Sequence, residues 1–305
     1  MPELPEVETI RLQLNQTLKG LKITGIEVLK TKSFQGQAKK IIGRKVLGVD
    51  RRAKIILIEL EGNYCLAIHL KLTGQLIFRM EETFGSAQGK HEGRGVEEKG
   101  NGPFAIKDLP NKFTRVIISF NNEGKLYFND LRIFGWIKVI GIKNNKPGVK
   151  KACAELPELG KLGPEANDGK TFTLDYLKEV LRKTKKPIKL VLLDQEKLAG
   201  VGNIYANEAL FLAKVRPDRP ANSLDEDEIE MLRDSILLVL KEAIEHKGSS
   251  DRDEAYRQIS GEKGTHQNYL QVYGRAGQKC PKCSGKIVRI KLGGRGTFYC
   301  PDCQR

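Results

Sequence analysis

The chain opens Met1-Pro2-Glu3-Leu4-Pro5-Glu6-Val7-Glu8-Thr9, and its second and third residues are the ones best equipped for covalent chemistry. A small residue at position 2 predicts removal of the initiator methionine, which makes Pro2 the mature N-terminus. Its nitrogen is then a secondary amine instead of an amide. A terminal α-amino group has a pKa of about 8, against about 10.4 for lysine, so near neutral pH a useful fraction is unprotonated and nucleophilic. Glu3 lies beside it, placed to act as an acid or a base on the same reacting atoms. In isolation the segment could equally serve only to start a helix, because proline is tolerated in a first helical turn.

A second chemical signature closes the chain. Cys280-x-x-Cys283 and Cys300-x-x-Cys303 are separated by sixteen residues, the spacing of two knuckles that hold one tetrahedral zinc on a β-hairpin. Four thiolates leave no open position, so the zinc is expected to be structural, and no catalytic metal is expected. Metal binding on the order of 10 kcal/mol would hold together a hairpin too small for a core of its own. Between the knuckles, Gly293-Gly294-Arg295-Gly296-Thr297 puts a single arginine at a glycine-rich tip. That arginine is either a solvated turn residue or a phosphate contact, to which a guanidinium is suited by its two-pronged geometry. Of the other cysteines, Cys65 sits in an apolar strand-like run and reads as a packing residue, and Cys153 stands alone.

A third element, Leu192 to Ala206, joins two helices through the glycine pair of Gly200-Val201-Gly202. Asn203 is expected as N-cap of the second helix, where exposed amides and the helix dipole favour a phosphate. Lys185, Lys186 and Lys189 add charge just upstream. The same pattern also suits an ordinary helical hairpin.

These groups need a scaffold. Leu4, Val7, Ile10, Leu14 and Leu18 recur at helical spacing and Gly20 supplies a stop, predicting an amphipathic helix that pins the N-terminal end to a core. Strand-like runs follow at 21–29, 45–50, 54–60, 64–70, 75–78, 115–120, 125–129 and 136–140, rich in Ile, Val and aromatics. Short strands punctuated by turns predict a β-sandwich or barrel. Residues 81–111 read as an inserted loop, because the glycine-rich, charged stretch there has too few large apolar residues to fold by itself. Residues 144–157 read as a linker. The second half is helical, with helices expected at 173–184, 187–194 and 203–212. Ser223 and Glu226 are expected to form the capping box of a last helix running to about Lys247.

With 305 residues the chain is long enough for about two domains with separate cores. A net charge of +15, with 53 basic against 38 acidic residues, points to a polyanion, nucleic acid before an anionic membrane. No stretch approaches the length of a membrane span, and the acidic N-terminus is unlike a signal peptide, so a cytoplasmic location is expected.

In this order, the motifs resemble those of the bacterial formamidopyrimidine-DNA glycosylases, repair enzymes for oxidised purines. The resemblance rests on PELPEVET, on Arg52-Ala53-Lys54 before a strand, and on His69-Leu70-Lys71-Leu72-Thr73-Gly74. It continues through Asp130-Leu131-Arg132-Ile133-Phe134-Gly135, GVGNIYANEALF from Gly200, and GGRGTFYC within the cysteine hairpin. It covers nearly the whole chain apart from 81–111. It implies an α+β multidomain protein: an N-terminal β-sandwich with a capping helix (1–143), a helix–two-turn–helix domain (158–270) and a C-terminal zinc finger (271–305). Damaged double-stranded DNA is the implied partner, bound by a monomer, with the damaged nucleotide flipped out of the stack.

The resemblance also implies roles. The Pro2 amine attacks C1′ of the damaged nucleotide, Glu3 is the acid/base at the sugar, Lys54 serves β-elimination and phosphate binding, and Arg295 serves δ-elimination. Leu72, Arg132 and Phe134 fill the hole left by the flipped base, and Arg132 reads the opposite cytosine. Asn203, Lys185 and His69 contact DNA, and 249–265 matches the loop that closes over the flipped base, expected to be mobile without DNA. Leu72 stands where many members have Met, and Phe113 where the family often has a DNA-contacting His. Two other readings stay open: an endonuclease VIII-type glycosylase for oxidised pyrimidines, and a non-catalytic zinc-finger nucleic-acid-binding protein. The first typically opens PEGPE, unlike Leu4 here; the second leaves Pro2, Glu3 and Lys54 without a task.

Overall fold

The first helix, α1 (Leu4–Leu18), ties the molecule together because its apolar stripe serves two cores. Val7, Ile10, Leu14 and Leu18 pack into the sandwich, whereas Leu4 is fully buried in the core of the helical half. Burying a leucine contributes about 1.5–3 kcal/mol, so Leu4 roots the chain end in the far domain. In this computed structural model the described residues are 1–80, 108–142, 156–250 and 255–305. Most of the expected inserted loop and linker, and residues 251–254, therefore lie outside the description.

Two antiparallel layers follow α1. One has the order β1 (Ile23–Val28), β7 (Thr114–Phe120), β8 (Gly124–Asp130), β6 (Gly74–Met80). The other runs β2 (Phe34–Gln35), β9 (Trp136–Gly141), β5 (Tyr64–His69), β4 (Ile55–Leu60), β3 (Val46–Arg52), with only the β2–β9 pair parallel. Ile56, Ile58, Leu66 and Ile68 of one layer share a buried core with Leu76, Val116, Ile118 and Phe128 of the other. The outer face of the five-stranded layer buries Cys65 with Ile55, Leu57, Ala67 and Trp136. Leu156 and Leu159 cover them from the short helix α2 (Pro157–Gly160) and its entry.

The helical half holds α3 (Leu174–Arg182), α4 (Ile188–Leu192), α5 (Asn203–Leu212) and α6 (Glu226–Glu245). Two expected caps are corrected. The α6 capping box is Asp225 with Glu228, two residues later than Ser223 with Glu226. The Ser223 hydroxyl instead donates to the Pro220 carbonyl. On α5 the N-cap is Gly202, and Asn203 is already helical.

The chain then reaches the cysteine hairpin past Glu208, a buried α5 residue whose carboxylate accepts the backbone N–H groups of Gln271, Val272 and Tyr273. Strands β10 (Val288–Leu292) and β11 (Arg295–Tyr299) pair with Leu292 opposite Arg295. Gly293 and Gly294 make the two-residue turn, both at positive φ (56° and 78°), as such a turn demands. The close approach these glycines allow is internal: a Cβ on Gly293 would lie 2.5 Å from Leu190 Cδ2.

Candidate active site

The glycine pair of the helical half makes room for the N-terminal end. A Cβ on Gly202 would sit 2.2 Å from the Glu3 carboxyl carbon, and one on Gly200, where φ is +99°, 2.4 Å from Leu4 Cδ1. Into that space the Leu4 N–H donates to the Gly200 carbonyl at 3.1 Å. The Glu3 carboxylate accepts the Ile204 N–H at 2.9 Å and the Tyr205 N–H at 3.4 Å, seating it on the positive end of α5. Glu6 holds the same segment from behind: it accepts the Glu3 N–H at 2.7 Å, the Ser249 N–H at 2.7 Å and the Tyr205 hydroxyl at 2.5 Å.

Lys54 comes from the opposite wall. The β3–β4 turn passes through Ala53 at φ +50° and delivers a buried lysine whose Nζ donates to the Val201 carbonyl at 2.9 Å. That turn is gripped by Glu165 of the helical half. Its carboxylate binds Arg51 at 2.5 Å, Arg52 at 2.6 Å and the Ala53 N–H at 2.7 Å, while Glu8 of α1 holds Arg51 at 2.8 Å.

Charge tuning follows from this burial. Desolvation raises the Glu3 carboxyl above its usual value, with Lys54 pulling the other way. Desolvation lowers the Lys54 ammonium, opposed by Glu3 and Glu6 and reinforced by Arg295. Two groups pushed toward one another in pKa are suited to exchange protons with a substrate.

A cavity of about 310 Å³ opens where the halves meet, lined by Met1, Glu3, Lys54, Leu72, Asn203 and Arg295, and closed by Gln195, Ser249, Tyr256 and Tyr273. Five of the residues singled out in the sequence thus share one cleft. Pro2 is buried, and its two chain neighbours, Met1 and Glu3, both line the cavity.

Arg132 and Phe134 lie on the β8–β9 connection, both exposed, with the guanidinium 5.0 Å from the phenyl centroid. Lys185 is exposed ahead of α4. His69 behaves differently from a basic phosphate ligand. Burial, with Lys71 and Lys54 nearby, lowers it to about 3, and its Nδ1 accepts the Lys71 N–H at 3.0 Å. Asn203 turns its amide donor to the Gly296 carbonyl at 3.1 Å.

Lys189 is visible in sequence only as one of three upstream lysines. It is fully buried, and its Nζ donates to the Gly296 carbonyl at 3.1 Å and to Thr297 Oγ1 at 2.7 Å. Burial lowers it to about 7. With Asn203 it therefore holds the hairpin strand that begins at Arg295. Its position two residues past Pro187, inside an apolar run, is the available signal. The segment matched to the closing loop is docked where it is described: Gln13 bonds Gln258 and Ile259, and the Ile259 carbonyl accepts the Phe78 N–H.

The four sulfurs of Cys280, Cys283, Cys300 and Cys303 lie within 4.8 Å of one another, with closest pairs at 3.5 and 3.7 Å. Zinc–sulfur bonds of about 2.3 Å in a tetrahedron put sulfurs about 3.8 Å apart, so this donor set fits one structural zinc.

Comparison with known proteins agrees along the whole length. Residues 1–137 match the formamidopyrimidine-DNA glycosylase N-terminal domain, 162–254 its H2TH domain, and 277–305 the zinc finger found in FPG and IleRS. The formamidopyrimidine-DNA glycosylase of Pelotomaculum thermopropionicum is 39% identical over 313 residues, covering 100% of this chain and 99% of that protein. The crystal structure of the MutM (Fpg) protein of Thermus thermophilus superposes with a TM-score of 0.80 at 36% identity, over 99% of this chain and 98% of that one. Lactococcus lactis Fpg in complex with abasic-site DNA gives 0.81 at 33% identity, over 99% of each chain. Glu3 near the N-terminus, a buried lysine and a hairpin arginine converge on one cleft, within a chain similar to these proteins end to end: it belongs to the formamidopyrimidine-DNA glycosylase family.

Proposed function

We propose that the chain is a bifunctional DNA glycosylase and abasic-site lyase of base excision repair, acting in the cytoplasm on oxidised purines in duplex DNA. The observation that carries this reading is the convergence of Met1, Glu3, Lys54 and Arg295 on one cavity from three separate parts of the chain. Removal of Met1, which lines that cavity, frees the Pro2 nitrogen next to Glu3 in the chain. A flipped nucleotide entering there presents C1′ to the amine. The N–C1′ bond forms, the glycosidic bond breaks, and the base leaves with its bonding electrons and takes up the proton that the amine gives off. Glu3 supplies the proton that lets the ring oxygen depart, giving an iminium ion.

That iminium acidifies the C2′ proton. Its removal expels the 3′ phosphate, with Lys54 as the adjacent basic group, and a second elimination expels the 5′ phosphate beside Arg295. Zinc on the four cysteines supplies no step; it fixes the hairpin that carries Arg295. Leu72, Arg132 and Phe134 occupy the vacated stack, and Arg132 contacts the opposite cytosine at its base edge. His69 and Asn203 line the approach as hydrogen-bonding groups, and Lys185 as a phosphate contact.

Borohydride trapping on duplexes carrying 8-oxoguanine opposite cytosine tests the reading. The expected product is a covalent adduct that mass spectrometry maps to Pro2. A preference for thymine glycol would favour the oxidised-pyrimidine enzyme. An adduct on an interior lysine, or none from protein that begins at Pro2, would overturn the mechanism.

A further inference from the structure

The three residues assigned to the DNA stack stand on two connections that cross between the layers at one end of the sandwich. Leu72 lies between β5 and β6, and Arg132 with Phe134 between β8 and β9. One buried carboxylate joins them. Asp130, the last residue of β8 and 1% exposed, accepts the Thr73 hydroxyl at 2.5 Å and the Arg132 N–H at 3.1 Å on Oδ1. Its Oδ2 accepts the Gly135 N–H at 2.7 Å. The Thr73 hydroxyl oxygen accepts the same Arg132 N–H at 3.1 Å, so the two turns share a three-centre bond.

The Arg132–Phe134 turn needs such a hold. Ile133 between them has φ +56°, a left-handed conformation that a β-branched residue keeps only where its surroundings impose it. Gly135 is packed closely at the end of the turn, where a Cβ would meet Phe128 at 2.8 Å and Asp130 Oδ2 at 3.1 Å. Asp130 also faces Gly74 across the β6–β8 ladder, directly after Thr73. The bonded pair thus joins the Leu72 turn to the Arg132 turn directly, beside the backbone ladders that flank them.

We propose that Thr73 and Asp130 are positioning residues that yoke the two turns into one probe of the duplex, and that their bond sets selectivity for the base opposite the lesion. The inference rests on the reading of Leu72, Arg132 and Phe134 as the residues that enter the stack. Without the Thr73 hydroxyl, the Arg132 turn loses its registration against Leu72, and the guanidinium reaches the opposite base from a range of positions. A good two-pronged base contact is worth about tenfold in discrimination, and that is the factor at stake.

The test compares Thr73→Val, which removes the hydroxyl at nearly constant shape, with Thr73→Ser, which keeps it. Single-turnover excision of 8-oxoguanine is measured opposite cytosine and opposite adenine, alongside cleavage of an abasic site in single-stranded DNA, which has no opposite base. For Thr73→Val the cytosine-over-adenine ratio should fall about tenfold while single-strand cleavage stays within twofold; Thr73→Ser should keep the ratio. Asp130→Asn, which sets an amide donor against the Thr73 hydroxyl or the Gly135 N–H, should lower the ratio in the same way. An unchanged ratio in both variants, or equal loss on duplex and single strand, overturns the proposal. Arg132→Ala separates the two levels: if it keeps the ratio, base reading by Arg132 fails as well; if it alone loses the ratio, only the yoke fails.

Discussion

The Glu3 carboxylate accepts the backbone N–H of Ile204 at 2.9 Å, so a residue at the start of the chain caps a helix 201 residues further on. The two ends of that bond belong to different domains, and the space for it exists only because residue 202 lacks a side chain. Gly202→Ala should therefore act as an active-site variant although the residue makes no contact through a side chain. A displacement of Glu3 near 1 Å costs about 10²-fold in rate, and we expect a loss of that order in single-turnover excision. Duplex affinity should change by less than about fivefold, since charge at the hairpin and turns is untouched. Wild-type excision by the Gly202→Ala protein would mean that Glu3 needs no such seat.

Opposed shifts at Glu3 and Lys54 suit the roles of acid and base. Burial raises the Glu3 carboxyl, so it keeps its proton above the ordinary value of 4.5; burial lowers Lys54, so its neutral amine appears below the ordinary 10.5. Neutral Lys54 takes the C2′ proton, so lyase activity should rise with pH through the lowered Lys54 value. Each carboxylate near Lys54 favours its charged form. Glu3→Gln should thus lower Lys54 further and move this rising limb of the residual activity to lower pH. A limb that moves upward instead would show that Lys54 does not sense Glu3.

The chemistry of this site was legible in sequence where it resides in residue type, and illegible where it resides in distance. Pro2, Glu3, the cysteine spacing and the glycine pair are recognisable locally, and so are the alternating strands. The α5 cap was misplaced on Asn203 because the side chain that serves that helix end comes from Glu3, which no local window contains. For α6, the frames Ser223-x-x-Glu226 and Asp225-x-x-Glu228 both satisfy the capping rule; the Pro220 carbonyl settles the choice by taking the Ser223 hydroxyl. The roles of Asp130, Lys189 and Glu165 were not legible locally, since each acts by bonding a segment distant in sequence or a turn that has to fold first.

Metal removal separates the hairpin from the rest. Cys300 is fully buried with Phe211, Val272 and Ile287 in a small cluster distinct from the two large cores. Cys300→Ser should lower zinc content from about one per chain to near zero, release Arg295, and reduce duplex affinity at least about tenfold. The sandwich and helical cores do not include these residues, so the far-ultraviolet melt should keep its cooperative transition. A zinc-free variant that binds duplex DNA like the parent would show that the hairpin stands without metal.

Glu165 offers the sharpest test of how the domains cooperate. It neutralises Arg51 and Arg52 and also accepts the Ala53 N–H, so one side chain fixes both the charge and the backbone of the turn that presents Lys54. Arg51 is 6% exposed; burial disfavours its charge, and Glu165 and then Glu8 overcome that penalty. Glu165→Gln removes the larger compensation and leaves Glu8 alone. Breaking a buried pair from one side costs about 3 kcal/mol, which urea unfolding should report. Screening by salt is weak at such depth, so the deficit should persist at high ionic strength, unlike any contribution from the exposed Lys183–Glu179 pair. Catalysis should fall through kcat more than through DNA affinity, because Lys54 loses its placement and the phosphate contacts do not. Unchanged unfolding together with unchanged kcat would mean that the β3–β4 turn holds Lys54 in place without help from the helical half.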